Sequence, residues 1–203
     1  MQITRLILSA ALCLSLVACG DDNTTGPDPT VSITRSNVHA DSTVGWVYYS
    51  IDGDSIVPPS QAATTAWDIK MAYLPGAATR QIDVLLNSGN VGSGTVTGTV
   101  VASRYENLTV VPAASTLRSD DTASASRVIP PNVIGSDIVF VYDITKHTIS
   151  PSPDKVIVIK TGKGQMVKFQ FTSIYKDAVT NPDIYTPMGY YHFRYAKANN
   201  GKW

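Results

Sequence analysis

The sequence has very little cysteine and almost no glutamate. Among its 203 residues only Cys13 and Cys19 are cysteines, and Glu106 is the single glutamate beside fifteen aspartates. Both cysteines lie in an N-terminal stretch unlike the rest of the chain, so no disulfide, thiolate nucleophile or cysteine-based metal site is expected in the folded part. The fold must therefore be held by its hydrophobic core, and the chain is long enough to bury one in a single domain.

The common catalytic motifs are absent as well. There is no Gly-x-Ser-x-Gly elbow, no His-x-x-x-His pair and no carboxylate cluster with metal-binding spacing. The glycines at 92, 94 and 98 lack the Walker spacing that would indicate phosphate binding. Lysine and arginine number sixteen against sixteen acids, with no basic stripe, so nucleic acid is not an expected partner. These absences argue against an enzyme and favour a binding protein.

The N-terminus has the pattern of an export signal. Arg5 gives a positive start, and residues 6–16 form an apolar run too short to span a bilayer. The run closes on Leu-Val-Ala-Cys at 16–19, which resembles a bacterial lipobox. That resemblance implies a lipoprotein signal peptide over residues 1–18 and lipid attachment at Cys19. The alternative is a plain secretory signal with an incidental cysteine.

The next segment predicts a tether. Residues 20–30 contain no hydrophobic side chain, so they cannot pack and should link the acylated cysteine flexibly to a domain over 31–203. The pair Asp21-Asp22 resembles the surface-export signal of Bacteroidota-type lipoproteins; an ordinary solvated spacer is the alternative. The expected location is the outer membrane, lipid-anchored and at the cell surface.

Thr, Val, Ser, Tyr and Ile are abundant in the remaining chain, which indicates β-structure without long helices. Residues 156–159 are apolar at every position and predict a strand covered on both faces. A glycine turn at 161–164 joins it to the alternating run 167–171, which predicts a central hairpin. Further strands are predicted at 46–50, 67–73, 82–86, 138–142 and 190–195. The fold class is an all-β antiparallel sandwich of roughly eight or more strands.

The segment 90–134 shows no clear periodicity. Its glycine-rich start suits a mobile loop or a weak edge strand, and 115–127 is small and polar, which predicts an exposed loop. Connections of this length are uncommon without a functional role, so the segment is a candidate ligand rim.

A few side chains could bind a metal or cofactor. His147 follows the strand at 138–142 and could offer a ring nitrogen, or could simply bond a loop carbonyl. Met166 opens a strand and Met188 lies in a Pro-Met-Gly turn; each thioether could bind iron, although methionine more often fills gaps in packing. His39 and His192 are expected to be solvated.

An ordered set of motifs resembles the HmuY-like haem-binding lipoproteins. The matching pieces span about residues 46–197 and are AWDI at 66–69, IDVLLNSG at 82–89, VIVIKT at 156–161 with a glycine at 164, KFQFTSIY at 168–175 and YHFRY at 191–195.

The resemblance implies a sandwich that carries haem at one end, with axial ligands from two loops and delivery to a TonB-dependent outer-membrane receptor. The family's ligands are paired histidines or methionines. The first ligand segment corresponds to about residues 101–135, where this chain has neither histidine nor methionine, and Tyr105 is its one residue suited to ferric haem. The second corresponds to the loop holding His147.

The sequence therefore supports two hypotheses. In the first, a lipid-anchored, non-catalytic protein captures haem or a porphyrin through His147, with Tyr105, Met166 or Met188 as the second ligand. In the second, a surface lipoprotein of the same fold binds a protein, a glycan or another apolar molecule without haem.

Overall fold

A computed structural model describes residues 30–43, 45–75, 82–131, 133 and 138–203. The predicted signal peptide, Cys19 and nearly all of the predicted tether lie outside these residues. The described residues contain twelve strands and only single-turn 3₁₀ helices, none of which has the length and apolar character of a membrane span. The strands are β1 Ser32–His39, β2 Trp46–Ser50, β3 Ser55–Val57, β4 Ile69–Tyr73, β5 Ile82–Leu86, β6 Thr97–Ala102, β7 Arg118–Ser119, β8 Phe140–Asp143, β9 Thr148–Pro151, β10 Lys155–Lys160, β11 Met166–Tyr175 and β12 Met188–Lys197.

The larger sheet has six antiparallel strands in the order β1-β12-β11-β10-β6-β7. The predicted central hairpin is its β10–β11 pair, with Ile157 opposite Phe169. Every residue from 156 to 159 has 0% exposure, as the uninterrupted apolar run predicted. Gly164 turns the chain with φ +85°, a conformation that suits glycine. Strand β6 pairs with β10 along its whole length but with the two-residue β7 only at Thr97 and Gly98, so most of it is an edge strand, one of the two expected alternatives.

The smaller sheet has four antiparallel strands in the order β3-β2-β4-β5. Its strand β4 begins two residues later than predicted because Trp67 and Asp68 form a corner. The Asp68 carboxylate is buried and accepts backbone N–H groups from Ile51 at 2.8 Å and Gly162 at 3.1 Å. This carboxylate thereby ties the smaller sheet to the β10–β11 turn.

The core lies between the two sheets and is rich in aromatic rings. Phe169 and Phe171 of β11 alternate with outward polar residues, and Phe193 of β12 stacks on Phe169 at 4.8 Å. From the smaller sheet, Tyr49 meets Phe193 edge to face at 5.1 Å. Such paired aromatic contacts add to area burial. The predicted all-β antiparallel sandwich, a single domain, is confirmed.

The polar loop predicted to be exposed is anchored by buried charges. The Asp120 carboxylate has 0% exposure and accepts backbone N–H groups from Leu86 and Val128, each at 2.8 Å. Burial raises the pKa of Asp120, and these hydrogen bonds oppose that rise. Arg127 forms a buried ion pair with Asp83 of β5. The prediction of an exposed 115–127 loop is therefore wrong at Asp120 and Arg127, which are buried.

Candidate functional site

His147 lies in the turn of a separate hairpin formed by β8 and β9. The Asp143 carboxylate opens the turn by accepting the backbone N–H groups of Thr145 at 2.9 Å and Lys146 at 3.2 Å. His147 closes it with φ +52°, a left-handed conformation uncommon outside glycine. The turn residues are exposed, so the imidazole is presented at the surface on a defined loop.

One of the two imidazole nitrogens of His147 is hydrogen-bonded. Its Nδ1 lies 2.7 Å from the hydroxyl of Tyr142, five residues earlier on β8. In the described part of the chain, Nε2 has no hydrogen-bond partner. When Nδ1 is the protonated nitrogen, its N–H donates a hydrogen bond to the Tyr142 oxygen and Nε2 has a free lone pair. Metal-bound histidines use this arrangement. The pair can therefore present an oriented nitrogen ligand.

The hairpin packs against the sandwich at one end, which we call the hairpin end. The Ile149 N–H donates to the Tyr175 hydroxyl at 3.0 Å, and the Phe140 ring lies 5.1 Å from Phe171. Met188 opens β12 opposite Tyr175, so its side chain is on the same face of the sheet. It is partly buried against the core. His147 and Met188 thus belong to the same end of the molecule.

Exposed apolar side chains concentrate at the hairpin end. Eight large hydrophobic residues are exposed among the described ones, and five of them lie on the hairpin or on the 179–187 connection: Val141, Ile144, Val179, Ile184 and Tyr185. Ile144 is 74% exposed and Tyr185 is 84% exposed. We call these five residues the apolar rim. A groove of about 280 Å³ separates the two segments; Val141 and Pro182 line it, and its other lining side chains are polar or charged. Exposed apolar side chains that gather at one end of a molecule are a feature of interaction sites.

Tyr105, a sequence candidate, lies elsewhere, on the outer face of the larger sheet. Two cations lie over its ring, Lys168 Nζ at 4.4 Å and the Arg194 guanidinium at 4.2 Å from the ring centroid. Its hydroxyl is hydrogen-bonded to Ser32 Oγ at 2.8 Å. Burial raises the pKa of the Tyr105 hydroxyl, which disfavours the tyrosinate form that iron would require. The ring serves as a cation–π platform for the outer face.

Met166 lies at the opposite end of β11 from the hairpin. It pairs with Lys160 and lines a cavity of about 440 Å³ beside the β10–β11 turn. It is nine positions from Tyr175 along an extended strand, a distance of roughly 30 Å. Met166 and His147 therefore cannot bind the two faces of one haem. The structure brings His147 and Met188 to one end and leaves Tyr105 and Met166 outside it.

The other two histidines differ from each other. His39 is exposed, as expected, and stacks on Tyr190 at 4.1 Å. His192 was expected to be solvated, which is wrong: it is 4% exposed, and its Nε2 bonds the Tyr175 carbonyl at 2.9 Å. Burial lowers the pKa of His192, which favours the neutral ring.

Sequence reasoning missed Tyr142 and the apolar rim. The available signal for Tyr142 was its position five residues before His147, on the other side of a tight turn. The rim residues are scattered over two segments that only the fold brings together. Across the described residues, no three His, Cys, Asp or Glu side chains form a group suited to a metal ion.

The fold has solved counterparts. An apo HmuY analog from Tannerella forsythia superposes with a TM-score of 0.52 at 12% identity, covering 85% of this chain and 98% of that one. A provisionally assigned HmuY-like heme binding protein from Bacteroides vulgatus gives 0.49 at 15% identity, covering 82% and 91% of the two chains. A provisionally assigned lipoprotein from Bacteroides fragilis gives 0.43 at 15% identity, covering 82% and 93%.

No family model and no curated protein sequence matches the chain. The similarity to the Tannerella forsythia protein extends over nearly its whole length, although few residues are identical. It therefore concerns the arrangement of strands. The resemblance seen in the sequence motifs is confirmed at this level: the chain has the fold of the HmuY-like proteins.

Proposed function

We propose that this protein is a lipid-anchored, non-catalytic protein that binds haem or a related porphyrin at the hairpin end. The observation that carries the proposal is the geometry of His147. Its Nδ1 is held by Tyr142 at 2.7 Å while its Nε2 has no partner among the described residues. An imidazole oriented through one nitrogen and open at the other is a suitable axial ligand for haem iron.

Two further features of the same end support the proposal. The apolar rim offers the surface against which a flat macrocycle loses contact with water. Met188 supplies a thioether at this end and is the proposed second ligand, since methionine and histidine together bind haem iron in other proteins. Tyr105 and Met166 stay outside the proposed site. The Tyr105 ring contacts Lys168 and Arg194 on the outer face of the larger sheet, and Met166 lies at the far end of β11.

The direction of strand β1 is consistent with capture away from the membrane. Strand β1 starts at Ser32 opposite Ala196 and reaches the hairpin end only at His39, opposite Tyr190. A tether leading to an acylated Cys19 would therefore leave from the end opposite the hairpin. The proposed site would face away from the lipid, where it can receive haem and pass it to a TonB-dependent outer-membrane receptor, the proposed partner.

The test is a ferric haem titration of the chain from residue 20 onward, which keeps the tether and lacks Cys19. We expect one-to-one saturation with a low-spin Soret spectrum in the unaltered chain. His147→Ala should weaken binding at least tenfold and shift the spectrum, with the fold unchanged because the residue is exposed. His39→Ala, which removes an exposed histidine on β1, is the control and should bind as the unaltered chain does.

The outcomes separate the hypotheses. A high-spin spectrum that persists in His147→Ala and is lost in Tyr142→Phe would identify the Tyr142 oxygen, and not His147, as the iron ligand. Unchanged spectrum and affinity in His147→Ala would exclude His147 altogether. No haem binding by the unaltered chain would overturn the proposal and leave a surface protein that uses the apolar rim for another apolar molecule, a glycan or a protein.

A further inference from the structure

Among the described residues, the hairpin that carries His147 shares no β-ladder with either sheet of the sandwich. It is attached through buried side chains such as Phe140 and Ile149 and through a few hydrogen bonds, one of them from the Tyr142 N–H to the Val133 carbonyl at 3.1 Å. It forms a two-stranded sheet of its own, paired from Phe140–Pro151 to Asp143–Thr148. A two-stranded ribbon is at best marginally stable in water, so its position must come from contacts with the sandwich. The direction in which the hairpin presents His147 therefore depends on those contacts.

One of these contacts is a buried side-chain hydrogen bond from the core. Tyr175 ends β11, is 3% exposed, and its hydroxyl accepts the Ile149 N–H at 3.0 Å. Ile149 lies directly opposite Tyr142 in the hairpin ladder and two residues from His147. The bond thus meets the hairpin at the residue pair next to the Tyr142–His147 contact. It is the one hydrogen bond that a β11 side chain makes to the hairpin among the described residues.

Tyr175 is itself fixed on several sides. Its carbonyl is bonded to His192 Nε2 at 2.9 Å, and its N–H donates to Ser173 Oγ at 3.2 Å. The following N–H, that of Lys176, donates to the Pro187 carbonyl at 2.9 Å, which joins the end of β11 to the start of β12. A side chain anchored in this way keeps its hydroxyl at one place relative to the sheet. It can therefore serve as a fixed reference point for the hairpin.

We propose that Tyr175 is a positioning residue for His147: its hydroxyl holds the hairpin so that the imidazole is presented to the ligand at the hairpin end. Tyr175 would affect haem only by way of the hairpin, so its role in ligand binding rests on the proposed function. The positioning of the hairpin by Tyr175 applies to the ligand-free protein as well. Without the hydroxyl, the Ile149 N–H is buried without a partner, and the hairpin gains alternative positions.

The test compares Tyr175→Phe with Tyr191→Phe. Each variant removes one buried tyrosine hydroxyl from the same layer of the core, but the Tyr191 hydroxyl donates to the Ala72 carbonyl of β4 and does not reach the hairpin. Loss of general stability should therefore be similar in the two. Only Tyr175→Phe should change the hairpin.

The first readout is amide hydrogen exchange in the haem-free chain. We expect Ile149 to exchange at least tenfold faster in Tyr175→Phe than in Tyr191→Phe. The second readout is the haem complex. Tyr175→Phe should release haem about five- to thirtyfold faster and show a mixture of high- and low-spin signals, whereas Tyr191→Phe should retain the spectrum of the unaltered protein.

The possible failures are distinguishable. Equal exchange at Ile149 in both variants, or equal haem release and spin state, would overturn the positioning role while the proposed function stands. Failure of the unaltered chain to bind haem would overturn the proposed function and, with it, a role in ligand presentation. In that case the exchange measurement would still report whether the hydroxyl holds the hairpin.

Discussion

Two irregular regions of this sandwich are built in opposite ways. The connections between residues 87 and 131 are polar in sequence, yet they are fixed by buried groups such as Asn87, Asp120 and Arg127. The hairpin end is short and leaves large apolar side chains such as Ile144 and Tyr185 in solvent. The polar groups of the first region form internal hydrogen bonds. In the second region, among the described residues, an imidazole nitrogen has no hydrogen-bond partner and an apolar surface is exposed to solvent. The proposed binding site therefore lies in the second.

Asn87 illustrates how the polar region is held. Its side-chain amide donates to the carbonyls of Thr64 at 3.0 Å and Trp67 at 2.8 Å, and its oxygen accepts the Gly94 N–H at 2.9 Å. The side chain has 0% exposure and joins the β3–β4 connection to the β5–β6 connection. A buried amide with its bonds satisfied specifies one loop arrangement, because each alternative leaves a polar group unpaired.

The largest effect is expected from Arg127→Ala. Removing this side chain leaves Asp83 as an uncompensated buried carboxylate, which should lower the free energy of unfolding by about 4 kcal/mol. Urea unfolding would measure it. The control is Arg104→Ala, which breaks an exposed pair with Asp154 and should cost less than about 0.5 kcal/mol. Similar losses in the two variants would contradict the distinction between a buried anchor and a surface pair.

A smaller effect is expected from Gly92→Ala. A Cβ at this position would lie 2.2 Å from Asn87 Oδ1 and 2.9 Å from the Trp67 ring, so the loop or the amide must move. We expect a loss of about 2 kcal/mol in urea unfolding, with haem binding at the hairpin end unchanged. Gly89→Ala is the matched control, because a Cβ there meets no atom within 4 Å. A loss in the control as large as in Gly92→Ala would refute the steric explanation.

The contrast between the regions also explains what could be predicted from the sequence. The central hairpin was readable because its information is local: an apolar run, a glycine turn and an alternating partner strand. Strands at 46–50 and 82–86 were found for the same reason. By contrast, the burial of Asp120 and Arg127 depends on partners about 34 and 44 residues away, Leu86 and Asp83. No local pattern in a polar loop reveals such pairings.

The candidate site was readable only in part, for a similar reason. His147 could be named because a histidine in a loop is visible in the sequence. Its orientation by Tyr142 requires the turn geometry, and the rim requires two distant segments to meet. His192 was misjudged because alternation with Arg194 placed it on the outer face. That face is covered at His192 by the end of β11 and the turn following it, which alternation alone does not show.

The smallest effect is expected from titration of His192, the buried ionisable group beneath the hairpin end. Burial lowers its pKa in the folded state, while the backbone bond to Tyr175 and the nearby Asp177 oppose that shift. The unfolded chain therefore binds a proton more readily. Stability is fully present above the ordinary histidine pKa of about 6.5 and falls as the pH decreases through the folded-state value.

Urea unfolding between pH 8 and pH 5 would measure this dependence. His192→Gln keeps an N–H donor for the Tyr175 carbonyl and cannot titrate, so its stability should fall less over this range than that of the unaltered chain. His39→Gln, at an exposed position, should retain the full dependence. The buried carboxylates Asp68 and Asp120, whose pKa values burial raises, are common to all three proteins and cancel in the comparison. Parallel curves for the unaltered chain and His192→Gln would show that protonation of this histidine does not weaken the hairpin end, and would leave Tyr175 as a mechanical anchor insensitive to pH.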